Sequence, residues 1–117
     1  MAAPEPTEIR LKRAEKLLDI SFADGSHFLL PAEYLRVESP SAEVQGHHPS
    51  ERQLVAGKRD VGFTGLEPNG NYAIRIRFDD GHETGIYSWD ILYRLGQEQE
   101  RRWADYLNRL KQAGLSR

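Results

Sequence analysis

The hydrophobic positions of this chain fall into two blocks of period-two alternation, followed by a block of helical period. The clearer β block is Asn71–Arg94, NYAIRIRFDDGHETGIYSWDILYR. Within it Tyr72, Ile74, Ile76 and Phe78 alternate with Ala73, Arg75 and Arg77. Successive strand side chains point to opposite faces, so this spacing predicts a half-buried strand. Burying an unpaired charge is costly, so Ile74, Ile76 and Phe78 should face the core and Arg75 and Arg77 the solvent. Asp80-Gly81 predicts a two-residue hairpin loop with φ > 0 at its centre. A returning strand and a helix start follow.

The first β block has the same plan. Glu8–Arg13 alternates Ile9 and Leu11 with Arg10 and Lys12. Lys16–Phe22 places Leu18, Ile20 and Phe22 on one face, Asp24-Gly25 forms the turn, and His27–Leu30 returns. Pro31 suits the start of a short helix over Ala32–Arg36, with Glu33 in its first turn. A shift of 56 residues lays Leu18, Ile20, Phe22, Asp24 and Gly25 onto Ile74, Ile76, Phe78, Asp80 and Gly81. The expected fold is therefore α+β: a small, mainly antiparallel sheet built from two pseudo-repeated hairpins, with a short helix after the first and a longer C-terminal helical segment.

Between the blocks, Val37–Asp60 is polar and without period, which predicts a long surface loop, functional or mobile. Val61–Leu66 reads as a further strand, turning at Asn69-Gly70 into the central one. Beyond Trp89 the period is helical. Ser88 suits an N-cap, Ile91, Leu92 and Leu95 form a stripe, and Gly96 interrupts it. Trp103, Tyr106, Leu107 and Leu110 recur at i, i+3, i+4 and i+7 as one apolar face. Glu98 with Arg102 and Asp105 with Arg109 are candidate i, i+4 pairs, and Gly114 suits a C-terminal cap. Residues 1–7 carry two prolines and little to bury, so disorder is expected there, with 8–117 as one domain.

Composition narrows the function classes. Cysteine is absent, which removes disulfides, thiolate metal sites and cysteine nucleophiles. A net charge of −2 and a pI near 6.1 give no global attraction to nucleic acid or anionic membrane. No apolar run reaches the ~20 residues of a membrane span. The first residues lack a basic stretch followed by an apolar one, and the expected location is cytoplasmic.

The candidate chemistry is sparse. Of four histidines, His47 and His48 are adjacent, and His82 follows the Asp80-Gly81 turn. With Glu38, Glu43 or Asp80 they could make a makeshift zinc or iron site, although adjacent side chains diverge and no recognised ligand spacing occurs. His27 stands apart on the first hairpin. Ser39, Ser41, Ser50 and Ser88 lie in no nucleophile motif, and no glycine-rich phosphate loop is present. Arg75 and Arg77 share a face opposite the aromatics, which argues against a base-stacking platform.

The runs LRVESPSAEVQGHHP and GNYAIRIRFDDGHETGIYSWDIL resemble a bacterial family, once called domain of unknown function 971 and now grouped with the N-terminal domain of gamma-butyrobetaine hydroxylase. The resemblance spans nearly all of Glu8–Leu110. It implies an α+β domain that stands alone, precedes the barrel of iron- and 2-oxoglutarate-dependent oxygenases, or is fused to Mrp-type iron–sulfur carrier ATPases. In the hydroxylase version the resemblance implies a zinc module, held by a Cys-x-Cys-x-x-Cys run after a Leu-Arg pair and by a histidine after the second turn. Here the run after Leu35-Arg36 offers Ser39, Ser41 and Val44, and His82 alone matches. The expected function is a non-catalytic accessory or protein-interaction module serving an iron–sulfur or 2-oxoglutarate oxygenase system, with a protein partner. The alternatives are a divalent-metal module using His47, His48 and His82, and a part of an oxygenase-type oxidoreductase.

Overall fold

The computed structural model describes residues 3–46 and 53–117. In chain order, β1 (Pro6–Lys12), β2 (Leu17–Phe22), β3 (His27–Pro31) and α1 (Ala32–Val37) form a first unit. A short helix α2 (Ala42–Gln45) follows. Then β4 (Phe63–Asn69), β5 (Ala73–Phe78), β6 (Ile86–Ser88) and α3 (Trp89–Gln97) form a second unit, and α4 (Gln99–Ala113) closes the chain. The α+β class, the short helix after the first hairpin and the long C-terminal helical segment are all present.

The expected single sheet is instead two three-stranded antiparallel sheets, ordered β1-β2-β3 and β4-β5-β6. Alternation reports which face of a strand is buried, not which strand lies beside it, so one sheet and two facing sheets read alike in sequence. β2 and β5 are the central strands. Leu18, Ile20 and Phe22 from one, and Ile74, Ile76 and Phe78 from the other, meet in one core with Leu30, Leu35, Tyr87, Leu92 and Leu95. Arg75 and Arg77 point away and both pair with Glu67 on β4, as the alternation requires.

The pseudo-repeat runs deeper than the hairpins. Both first strands carry a register step against the central strand, between Pro6 and Glu8 in β1 and between Phe63 and Gly65 in β4. The backbone bonds Ala23 N–H to Glu5 O and Asp79 N–H to Gly62 O, both 2.9 Å, close the same corner in each unit. The two turns also match. Phe22 N–H donates to Ser26 O at 2.8 Å and Phe78 N–H to His82 O at 2.9 Å. Only the glycines have positive φ, Gly25 at 91° and Gly81 at 90°. These are three-residue loops ending in a left-handed glycine, not the two-residue loops expected. In each, the aspartate accepts from the backbone two residues on: Asp24 Oδ1 from Ser26 N–H at 2.9 Å and Asp80 Oδ1 from His82 N–H at 3.0 Å.

Other expectations are corrected. β1 begins at Pro6, so Pro6 and Thr7 of the segment expected to be disordered are strand, and Ala3 N–H donates to Asp90 Oδ1 at 2.6 Å. Tyr72 lies outside β5 and is 58% exposed, since the strand starts at Ala73. The stretch read as a surface loop contains α2, capped by Ser41 Oγ accepting from Glu43 N–H. On α4, Tyr106 and Leu110 are buried and Trp103 is half-buried, but Leu107 is 39% exposed. The Glu98–Arg102 pair forms at 2.8 Å, whereas Asp105 pairs with Arg101 rather than Arg109.

The two units are tied reciprocally. Tyr34 of α1 donates its hydroxyl to Leu95 O of α3 at 2.7 Å. Tyr87 of β6 donates to Leu35 O of α1 at 2.5 Å. Burial pushes both phenols well above the usual tyrosine range, with the nearby Glu38 carboxylate adding to the effect on Tyr34.

Candidate functional site

A cluster of polar side chains, buried at Ser39, Ser41 and His82 and open to solvent at Glu43 and Thr84, joins the α1–α2 connection to the second turn. α1 ends at Val37, and the chain turns through Glu38 and Ser39 into Ser41, the cap of α2. Opposite, β5 ends at Phe78 and the glycine turn directs His82 inward. Ser39 is fully buried and His82 is 6% exposed. Ser39 Oγ and His82 Nε2 lie 2.9 Å apart, and His82 Nδ1 lies 3.1 Å from Glu43 Oε2. The carboxylate accepts from Nδ1–H, so Nε2 accepts from the Ser39 hydroxyl. Ser39 Oγ accepts in turn from Ser41 N–H at 3.2 Å. Ser41 Oγ bonds Thr84 Oγ1 at 2.6 Å, and Gln45 Nε2 donates to Ser39 O at 2.7 Å.

Two charges flank this network. Asp80 Oδ2 accepts from Lys58 Nζ at 2.6 Å and from Arg36 Nε at 2.8 Å. Partial burial pushes the Asp80 carboxyl up, but the bonds from Lys58, the His82 backbone and Arg36 outweigh it and hold the carboxyl at about 2. His82 is shifted below its usual value, first by burial and then by the Arg36 guanidinium, against the opposing pull of Glu43 and Asp80. The shift favours the neutral ring, the form in which Nε2 accepts from Ser39.

The structure brings together Ser39, Ser41, Glu43 and His82, the first, second and fourth of the positions that the resemblance equates with zinc ligands among them. Val44, the third, is buried beside them as an apolar side chain. His47, His48 and Ser50 lie outside the described residues. His27 is elsewhere, bound to Asp19 on the outer side of the first sheet at 2.5 Å. Glu38 pairs with Arg102, and Ser88 caps α3 by accepting from Ile91 N–H. Thr84, Arg36 and Lys58 belong to the network but are not singled out by sequence. Only the spacing of 82 and 84, two apart and so on one side of an extended chain, could have pointed to Thr84.

Among the described residues, Ser39, Ser41, Val44 and His82 do not by themselves make a zinc or iron site. Serine hydroxyls stay protonated near neutral pH, valine offers no lone pair, and both ring nitrogens of His82 are already engaged. Among the described residues, no three of His, Cys, Asp and Glu converge as a metal site would require. The order hydroxyl, imidazole, carboxylate is also that of a nucleophile relay. Yet Ser39 Oγ is sealed in: a Cβ on Gly85 would lie 2.6 Å from it and 3.1 Å from the Tyr87 ring. That packing leaves no room for a substrate carbonyl at the hydroxyl.

Two structures solved by NMR in solution match with 47% identity and a TM-score of 0.85, and with 48% identity and a TM-score of 0.84. They cover 99% and 98% of this chain, and 91% and 86% of their own. A crystal structure from Acidithiobacillus ferrooxidans ATCC 23270, described as a protein of unknown function belonging to the DUF971 family, matches with 37% identity and a TM-score of 0.68. It covers 81% of this chain and 98% of its own. No curated protein matches. The family model "Gamma-butyrobetaine hydroxylase-like, N-terminal" matches residues 9–93, which takes in most of both units and the whole polar cluster. The chain belongs to the gamma-butyrobetaine hydroxylase-like N-terminal family.

Proposed function

We propose that this domain is a non-catalytic accessory module that acts through protein contacts, in an iron–sulfur or 2-oxoglutarate oxygenase system of the kind its family resemblance implies. The observation that supports this reading is the closed state of the polar cluster. Ser39, Ser41, Thr84, Glu43 and His82 bond one another, and the Ser39 hydroxyl next to the imidazole is walled off by Gly85 and Tyr87. A network whose buried members, Ser39, Ser41 and His82, are all bonded holds a particular arrangement of chain rather than waiting for a reactant. Here it fixes the α1–α2 connection against the second turn.

The test is a titration of the purified chain with zinc and with ferrous iron, followed by the His82 ring signals in NMR, and then an assay for 2-oxoglutarate consumption with iron present. The expected result is no sub-micromolar binding and no turnover. Sub-micromolar binding lost in His82→Ala would replace this reading with the metal-module one. Turnover that needs His82 or Ser39 would replace it with an enzymatic one.

A further inference from the structure

The outer face of α4 carries a row that nothing among the described residues covers. Glu100, Ala104, Leu107 and Lys111 are all exposed and lie four, three and four residues apart, which places them on one narrow stripe of the helix. Leu107 is 39% exposed, whereas Tyr106 and Leu110 on the same helix are buried. Leu107 forms one wall of an open hollow of about 670 Å³ that Gly96, Trp103 and Ala104 also line. The charged ends of the row are also unused. Glu98, Arg101, Arg102 and Asp105 make ion pairs within or from this helix, whereas Glu100 and Lys111 make none among the described residues.

We infer that this stripe is a self-complementary docking surface whose occupant is a second copy of the chain, with the two α4 helices antiparallel. A two-fold axis across the middle of the stripe sets Glu100 against Lys111 of the second copy and Ala104 against its Leu107, and the reverse pairs follow by symmetry. Each leucine then enters the hollow left by the small Ala104 side chain, a knob meeting a hole, and each end of the seam carries opposite charges. A parallel arrangement would set Glu100 against Glu100 and Lys111 against Lys111, so the charges select the antiparallel one. The seam is one helix long, well under the roughly 1,200–2,000 Å² of a stable interface, which makes the association weak and dependent on concentration.

Sedimentation velocity over a concentration series reads this directly. The weight-average mass should climb from 13.4 kDa towards twice that value as concentration rises to about 1 mM. Leu107→Asp should hold the chain monomeric throughout. Glu100→Lys places like charges at both ends and should weaken association by roughly tenfold, and the double swap Glu100→Lys/Lys111→Glu should recover it. Recovery by the double swap separates lost pairing from misfolding. A chain that stays monomeric to 1 mM, a dimer indifferent to Leu107→Asp, or a double swap no better than the single one would each overturn the inference.

Discussion

The two three-stranded units share a backbone design and differ in what their turns do. Both central strands end in phenylalanine, both turns carry Asp-Gly, and both aspartates hold the backbone two residues on. Each aspartate also reaches into the opposite unit. Asp24 Oδ2 accepts from Tyr93 of α3 at 2.6 Å, and Asp80 Oδ2 accepts from Arg36 of α1. The residue after each glycine sets the units apart: Ser26 in the first turn, and in the second the buried His82, bound to Ser39. One framework thus gives a plain corner in the first unit and an organising centre in the second, through the side chain that follows the turn. The lesson is that equivalent backbone geometry does not carry equivalent chemistry.

The largest expected effects test whether the two units contribute equally to their shared core. Ile20 and Ile76 occupy matching positions and are fully buried. Ile20→Ala and Ile76→Ala should each cost about 2–5 kcal/mol in equilibrium urea unfolding. Similar values would sharpen the equivalence, and a gap beyond about 2 kcal/mol would break it, since matched cavities in one core should collapse alike.

Next come the turns. Asp80→Asn removes the charge that holds Lys58 and Arg36, and should cost roughly 1.5–3 kcal/mol, the range for hydrogen bonds to charged groups. Asp24→Asn, at a fully exposed site, should cost distinctly less in the same assay. Equal losses would mean the second turn is no more structured energetically than the first.

Acid titration sharpens the same contrast. The folded-state carboxyl of Asp80 sits at about 2, below the roughly 3.9 of an unfolded aspartate. The unfolded chain therefore binds its proton first, so this stability is present above about pH 4 and is lost as pH falls towards 2. His82 is lowered too, so its contribution is present above about pH 6.5 and is lost below that as pH falls through its folded value. Urea midpoints measured from pH 7 to pH 3 should fall in two stages. His82→Gln should remove the upper stage, and a wild-type midpoint flat from pH 7 to pH 5 would show that the ring is not held neutral by the fold.

The smallest effect concerns the helix starts. Ser88 caps α3 through its side chain, whereas α1 starts at Pro31 with no side-chain bond. Ser88→Ala should cost about 1 kcal/mol, with Pro31→Ala nearer neutral, read from thermal unfolding.

The sequence made the strands legible because burial imposes a period of two, and Ile74, Ile76, Arg75 and Arg77 all sit where that period puts them. The turns were legible in place but not in kind, because Asp-Gly serves two-residue and three-residue loops alike. The split into two sheets was not legible, since alternation is silent about neighbours. Leu107 broke its helical pattern because the stripe is wider than the surface α4 rests on. At the site, His82 was singled out from the residues alone, but its join to Ser39 spans a sequence separation of 43 residues and left no local trace. Only the family resemblance set the two side by side.

The crossed tyrosine bonds bear on how this chain can fold. Tyr34 and Tyr87 each donate to a carbonyl near the helix of the other unit, so neither unit completes its own interior. Cut between residues 46 and 53, the chain would yield two fragments, each with a buried hydroxyl lacking its acceptor and half a core open to water. Such fragments have little reason to fold apart and a strong reason to recombine when mixed. The duplicated plan should therefore unfold as a single cooperative unit, with one transition on heating or in urea, the second half being as necessary to the first as its own strands are.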